Sequence, residues 1–124
     1  MALLDSSLAH TAAGAALMGG WAYFANMSHP MPAPLLAALV QGALTAGLTF
    51  AMKRLQEALV ARLPGLSGLL VPPLACAVLS VAVLSLIHSL AGTPEVLATL
   101  ALPSTVATLY ACAYTFRLWT RQNG

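Results

Sequence analysis

The sequence predicts an all-α integral membrane protein, in which residues 1–124 form one domain of four transmembrane helices paired into two helical hairpins. The first observation is composition: charged residues make up 6% of the chain and hydrophobic residues 60%. A soluble domain of this length carries about a quarter of its residues as charged side chains. Because a compact fold this small cannot hide so many apolar side chains, the excess must face lipid. The second observation is that prolines and polar residues divide the chain into four apolar blocks, each close to the ~20 residues that a membrane-crossing helix needs.

The first hairpin comprises predicted spans at about 7–26 and 34–53. Pro30, Pro32 and Pro34 predict an extended turn between them, and the last of these suits the first position of a helix. Both blocks are uniformly apolar and rich in alanine and leucine. This pattern favours helices over the short alternating strands of a membrane barrel.

An amphipathic segment at 53–63 follows the second span, with leucines on one side and Lys53 and Glu57 on another. It either continues span two beyond the membrane or lies along the lipid headgroups. Pro64 and Gly65 are expected to end it. We interpret the segment as an anchor whose cations extend to the interface, with a helix that docks a partner as the alternative.

The second hairpin comprises predicted spans at about 72–91 and 95–116. Pro72 and Pro73 are expected to start span three, because the first turn of a helix needs no donor from their nitrogens. Pro103 interrupts the backbone hydrogen bonding of span four. Such a break is either a packing feature or part of a mid-depth binding site, and we favour packing.

The connection between spans three and four predicts a tight turn. Gly92 can end span three in a left-handed conformation, and Thr93 can cap the next helix. Pro94 suits the first position of that helix, and the carboxylate of Glu95 would meet the positive end of its dipole.

The basic residues predict the orientation of the helices. All five lie between spans two and three or after span four: Lys53, Arg54, Arg62, Arg117 and Arg121. By the positive-inside rule, both termini and the middle loop are cytoplasmic, while the segments at 27–33 and 92–94 face the outside. The predicted location is therefore the inner (cytoplasmic) membrane, with several passes.

Polar side chains within the spans are expected to face other helices rather than lipid. In span two, Gln41, Thr45 and Thr49 recur every fourth residue and so share one face. Small residues with similar spacing form two surfaces that permit close helix packing: Ala38, Gly42 and Ala46, together with Ala43 and Gly47. Helix packing or a pathway for a polar solute would explain the pattern, and we favour packing.

Most candidate binding residues lie toward the outer ends of the spans, and Thr45 lies one helical turn deeper than Gln41. The candidates are Asn26, His29, Gln41, Thr45, His88 and Glu95. Gln41 lies about 10 Å from the outer end of span two, a depth compatible with a polar cluster around His88. Histidine is the side chain whose charge changes most readily near neutral pH. His88 therefore either senses a proton or ligand, or bonds a carbonyl or headgroup as a helix-end histidine.

The sequence predicts no enzyme, cofactor or metal site. Cys76 and Cys112 lie within apolar blocks and are not spaced as a CxxC pair, so we interpret them as structural thiols. A metal site would require His29, His88 and Glu95 to converge from loosely spaced positions. The net charge of +2 is too small to indicate a nucleic-acid surface.

In size and number of predicted spans, the chain resembles the small multidrug-resistance exporters, whose transport depends on a glutamate embedded in the first helix. This sequence has no acidic residue in the interior of any predicted span. The resemblance therefore implies a similar architecture and no proton-coupled exchange. Four-helix disulfide-generating oxidoreductases are excluded because paired, loop-exposed cysteines are missing.

Two functional hypotheses follow from these expectations. As a non-enzymatic accessory or structural subunit, the protein would pack its small-residue faces against the other membrane helices of a larger complex. As a homo-oligomeric carrier or channel, it would pass a neutral or amphipathic small solute or lipid along the Gln41 face. We place the accessory subunit first and the carrier second.

Overall fold

The computed structural model describes the backbone of residues 2–123 and the side chains of residues 8–123. The described chain is all-helical, as predicted, and contains four helices: α1 (Ala2–Asn26), α2 (Ala33–Arg62), α3 (Ser67–Leu90) and α4 (Val96–Asn123). Three of them, α2, α3 and α4, are long and apolar enough to cross a membrane. This finding indicates a membrane protein.

Helix α1 does not reach the same apolar content within its described residues. It carries the polar or weakly apolar side chains of His10, Trp21 and Tyr23, and several glycines that add no apolar surface. The prediction of four spans is therefore supported for three helices, and a membrane crossing by α1 stays a prediction.

Helix α2 runs without a break through the amphipathic segment at 53–62, so this segment belongs to the same helix as predicted span two. Its 30 residues extend about 45 Å, which exceeds the hydrocarbon thickness of a bilayer, about 30 Å. The chain leaves the helix at Leu63, whose backbone is extended, and turns at Gly65, where φ is +58°. A left-handed φ of this kind favours glycine.

Helix α3 begins at Ser67, five residues before the predicted start of span three. The expectation that Pro72 and Pro73 start this helix is wrong, because both lie inside it. The turn at Gly65 reverses the chain immediately after α2, and the Ser67 hydroxyl donates to the carbonyl of Pro64. The helix can therefore begin before the prolines, each of which leaves one carbonyl of the preceding turn without its usual donor.

The helices form an up-and-down bundle in which α1 packs mainly on α2 and α3 mainly on α4. Contacts between α2 and α3 join the two hairpins, α1 and α4 close the ring, and α2 touches α4 across the centre. We call the end with the connections at 27–32 and 91–95 the hairpin end. The opposite end, where α2 leads into α3 and α4 finishes, is called the basic end.

Most side chains in the interior of the bundle are small or polar, with a few larger apolar ones such as Leu84 and Leu100, while most large aliphatic side chains face outward. In α3 the buried residues recur every fourth position: Gly68, Pro72, Cys76, Ser80, Leu84 and His88. By contrast, Leu90 is 76% exposed and Leu97 is 86% exposed. Apolar side chains exposed to this extent match a hydrocarbon environment.

Helices α1 and α2 approach one another closely at two glycines. A Cβ atom placed on Gly19 would lie 3.0 Å from the carbonyl oxygen of Ala38, and one on Gly42 would lie 3.4 Å from that of Ala15. The small residues Ala38 and Gly42 of α2 therefore meet α1. Because neither glycine carries a side chain, the two backbones can come this near.

Candidate functional site

His88 lies fully buried near the end of α3 and bonds two neighbouring side chains. Its Nε2 is 2.8 Å from Oε1 of Gln41 on α2, and its Nδ1 is 2.8 Å from the hydroxyl of Thr93. Since a carboxamide oxygen only accepts, Nε2 carries the proton and donates. In the neutral imidazole, Nδ1 then accepts from Thr93, and both ring nitrogens are bonded.

Gln41 extends this group along α2. It is 1% exposed, and its Nε2 donates to the hydroxyl of Thr45 at 2.9 Å. Thr49, the third member of the predicted polar face, donates instead to the backbone carbonyl of Thr45 at 2.6 Å and is exposed. The inward-facing part of the stripe therefore consists of Gln41 and Thr45.

Asn26, the last residue of α1, forms the second buried group at the hairpin end. Its Nδ2 donates to the carbonyl of Ala22 at 2.8 Å and to the hydroxyl of Thr99 at 2.7 Å. Its Oδ1 accepts the backbone N–H of Glu95 at 2.9 Å. The Thr99 hydroxyl in turn donates to the Glu95 carbonyl at 2.6 Å, so this one amide binds α1 to the start of α4.

The cap of α4 therefore differs from the expectation. Thr93 was expected to cap this helix, but its hydroxyl bonds His88. The side chain of Asn26 instead accepts the backbone N–H of Glu95, the residue immediately before the helix. Gly92 does adopt the expected left-handed conformation, with φ +77°. Asn26 and Glu95 are 69 positions apart in the chain, so local sequence patterns could not reveal the pairing.

His29 and Glu95 join the two connections at the hairpin end from the outside. His29 Nε2 lies 2.8 Å from Glu95 Oε2, and the two side chains are 34% and 47% exposed. The contact becomes an ion pair when His29 is protonated. Exposed pairs of this kind contribute about 0–1 kcal/mol because water screens them.

The structure thus brings the predicted site residues to one end of the bundle in two groups. Gln41, Thr45 and His88 form one, and Asn26, His29 and Glu95 form the other. Their bonds connect α2 to α3 and α1 to α4. In the described part of the chain, no group of three or more His, Cys, Asp or Glu residues is arranged to hold a metal ion.

The hydrogen bonds of these groups are better suited to joining helices than to transferring protons. The partner of His88 on α2 is a carboxamide, which relays a proton only through a high-energy tautomer. Among the described residues, the Ser104 hydroxyl is the buried side-chain polar atom without a hydrogen-bond partner. A solute entering the His88 group would have to displace an existing bond.

Sequence reasoning missed Thr99 in this site, and it missed a second buried polar pair near the basic end. Thr99 lies one helical turn after Glu95, which was the available signal. At the other end, the Thr115 hydroxyl donates to Oε1 of Gln56 at 3.3 Å, and both residues are buried. Gln56 lies in the amphipathic segment, where sequence reasoning considered only Lys53 and Glu57 among the polar residues.

Comparisons with known proteins found no match: no family model, no curated protein and no solved structure matches this chain. The function is therefore argued from the geometry of the chain itself.

Proposed function

We propose that this protein is a small multi-pass protein of the inner membrane that acts as a non-enzymatic accessory or structural subunit, packing against other membrane helices. In this proposal all four helices cross the bilayer, α1 included, and the basic end lies in the cytoplasm. The packing of α1 along the apolar helix α2 supports its crossing. The observation that carries the subunit role is a small-residue surface on α2 that the described residues of this chain leave uncovered.

That surface consists of Ala43 and Gly47, both exposed on α2. A Cβ atom placed on Gly47 would meet no atom within 4 Å. On the same helix, the equally spaced small residues Ala38 and Gly42 allow α1 to pack closely against α2. In lipid, helix association depends on such close backbone approach. The Ala43–Gly47 surface therefore suits a helix from another polypeptide.

A groove on α4 supports a second contact of the same kind. It has a volume of about 330 Å³ and is lined by Ser104, Thr105, Thr108 and Leu109. The Thr105 hydroxyl already donates to the carbonyl of Ala101. The Ser104 hydroxyl, in contrast, has no partner among the described residues. The exposed hydroxyl of Thr105 can still accept a hydrogen bond across a helix interface, which contributes about 0.6 kcal/mol on average within membranes.

The alternative proposal is a homo-oligomeric carrier or channel for a neutral or amphipathic small solute or lipid. It would use the polar face of α2 and the His88 group. Those polar atoms already bond one another, as the His88–Gln41 and Gln41–Thr45 distances show. The saturated interior is better suited to a structural role, so the accessory subunit remains our preferred proposal.

The substitution Gly47→Leu tests the proposal, because it fills the open surface without touching this chain's own core. Ala82→Leu is the matched control: Ala82 is also exposed in a helix, but the residues one turn away, Val78 and Leu86, are large and exposed. The protein is extracted from its native membrane in a mild detergent and isolated through a tag, and stably bound polypeptides are quantified. We expect Gly47→Leu to lower their recovery at least about tenfold, while Ala82→Leu retains them.

Two outcomes would contradict the subunit role. The first is recovery of the unmodified protein only as a homo-oligomer, which favours the carrier. The second is equal recovery of partners with Gly47→Leu and with the unmodified chain. Circular dichroism of each variant verifies that the four helices are retained.

A further inference from the structure

The fold gathers the positive charge of the chain at the basic end. The last turns of α4 are held against the end of α2 and the start of α3: Trp119 Nε1 donates to the carbonyl of Gly65 at 2.9 Å, and Gln122 Nε2 donates to that of Val60 at 3.1 Å. All five basic residues lie on these two helix ends: Lys53, Arg54, Arg62, Arg117 and Arg121. Cations that are distant in sequence therefore surround one end of the bundle.

The carboxylate of Glu57, which lies on the same stretch of α2 as Lys53 and Arg54, is already engaged. Glu57 Oε2 accepts the hydroxyl of Tyr114 at 2.6 Å, and Lys53 Nζ lies 6.0 Å from the centre of the Tyr114 ring. Within the described side chains, no lysine or arginine forms an ion pair with a carboxylate. Even when Asp5, which precedes the first predicted span, is counted with Glu57, the sequence near this end keeps a surplus of three positive charges.

Exposed apolar side chains lie next to the same cations. The four arginines are exposed. On α4, Phe116 is 57% exposed beside Arg117, and at the start of α3, Leu66 and Leu70 are each 63% exposed. The basic end therefore combines unpaired guanidinium groups with uncovered apolar surface. A molecule with an anionic head and an apolar tail matches both features.

We propose that the basic end binds anionic phospholipids, with the phosphate headgroup on the arginines and the acyl chains against the exposed apolar residues beside them. A guanidinium donates two parallel hydrogen bonds to phosphate, and basic residues at a membrane surface attract anionic lipid. The apolar neighbours favour a lipid over free phosphate. This inference depends on insertion in a bilayer, and it is independent of the accessory role.

The two tryptophans of the chain allow a direct test, because one lies at each end of the bundle. Trp119 bonds Gly65 at the basic end, and Trp21 bonds the carbonyl of Ala98 toward the hairpin end. In a Trp21→Phe background, Trp119 fluorescence reports lipids at the basic end. The protein is reconstituted in phosphatidylcholine vesicles that contain brominated phosphatidylglycerol, and quenching is compared with that from brominated phosphatidylcholine at the same mole fraction.

We expect the quenching to indicate about fivefold enrichment of phosphatidylglycerol around Trp119. This factor corresponds to an attraction of about 1 kcal/mol, the contribution of a single basic residue at the membrane surface. Arg117→Gln with Arg121→Gln should abolish most of this enrichment, and raised salt should weaken it. The reciprocal Trp119→Phe protein, in which Trp21 reports the hairpin end, should show none.

Quenching that follows the mole fraction alone would overturn the inference, as would equal enrichment at both tryptophans. The inference would also be overturned if the enrichment persisted in both double variants, Arg117→Gln with Arg121→Gln and Arg54→Gln with Arg62→Gln. Circular dichroism confirms folding of each variant in the vesicles. None of these readouts depends on a bound polypeptide, so failure here is distinguishable from failure of the accessory role.

Discussion

Single polar residues join the helices of this bundle, and Asn26 is the clearest example. Its amide bonds the carbonyl of Ala22, the hydroxyl of Thr99 and the N–H of Glu95, and it is fully buried. Away from water, a polar group that loses its partner has no alternative one. The amide thus stabilises the α1–α4 contact and also satisfies a backbone donor at the start of α4.

We expect Asn26→Ala to lower the free energy of unfolding by about 1–2 kcal/mol, because it leaves the part-buried N–H of Glu95 without a partner and removes the donor to the Thr99 hydroxyl. His29→Ala is the control, since it removes a contact of similar length in an exposed position and should cost less than about 0.5 kcal/mol. Unfolding by sodium dodecyl sulfate in mixed micelles, followed by circular dichroism, measures both. Equal losses for the two variants would refute the role assigned to the buried amide.

The pairing of helices α1 and α2 depends on close contact between backbones. Gly19 faces Ala38 and Gly42 on α2, whereas its neighbour Gly20 points to open space. A methyl group on Gly19 would meet a backbone carbonyl oxygen at 3.0 Å, and such an oxygen cannot move away as the tip of a flexible side chain can. Two adjacent glycines of one helix therefore have opposite roles.

Gly19→Ala should destabilise the protein by about 1–3 kcal/mol, as overpacking in a tight contact does. Gly20→Ala should be neutral or stabilise by up to about 1 kcal/mol, because alanine is the better helix former. The same micelle unfolding assay measures the difference. If both substitutions behave alike, the close approach of α1 and α2 is not a determinant of stability.

At the scale of the whole molecule, the placement of charge supports the proposed orientation, with both termini in the cytoplasm. The Lys and Arg residues gather at the basic end, while the hairpin end carries His29 and Glu95. Because the described part of α1 contains no stretch apolar enough to be counted as a membrane span, its crossing is the part of this proposal that most needs a test.

Single cysteines introduced into a Cys76→Ala, Cys112→Ala background provide that test. We expect Ser28→Cys, at the exposed hairpin end, to react with an impermeant maleimide added to intact cells. His10→Cys and Arg121→Cys should react only after the membrane is opened. Reaction of His10→Cys from outside would show that α1 does not cross the bilayer, and reaction of Arg121→Cys from outside would reverse the proposed orientation.

The sequence by itself determined the helical class, the apolar character of three helices, the left-handed turn at Gly92 and the clustering of charge in two chain segments. These features are local: apolar content, turn residues and charge are properties of neighbouring positions. The sequence also indicated which polar residues lie near one end, because depth follows from distance along a helix.

Only the tertiary structure decided which of those residues are partners. Asn26 caps α4 instead of Thr93, and Thr93 bonds His88. Likewise, Ala38 and Gly42 pack against α1, while Gly47 has open space in front of it, although all three are small residues of one helix. The rotation of each helix about its axis follows from packing all four helices together, and no periodicity within a single segment contains that information.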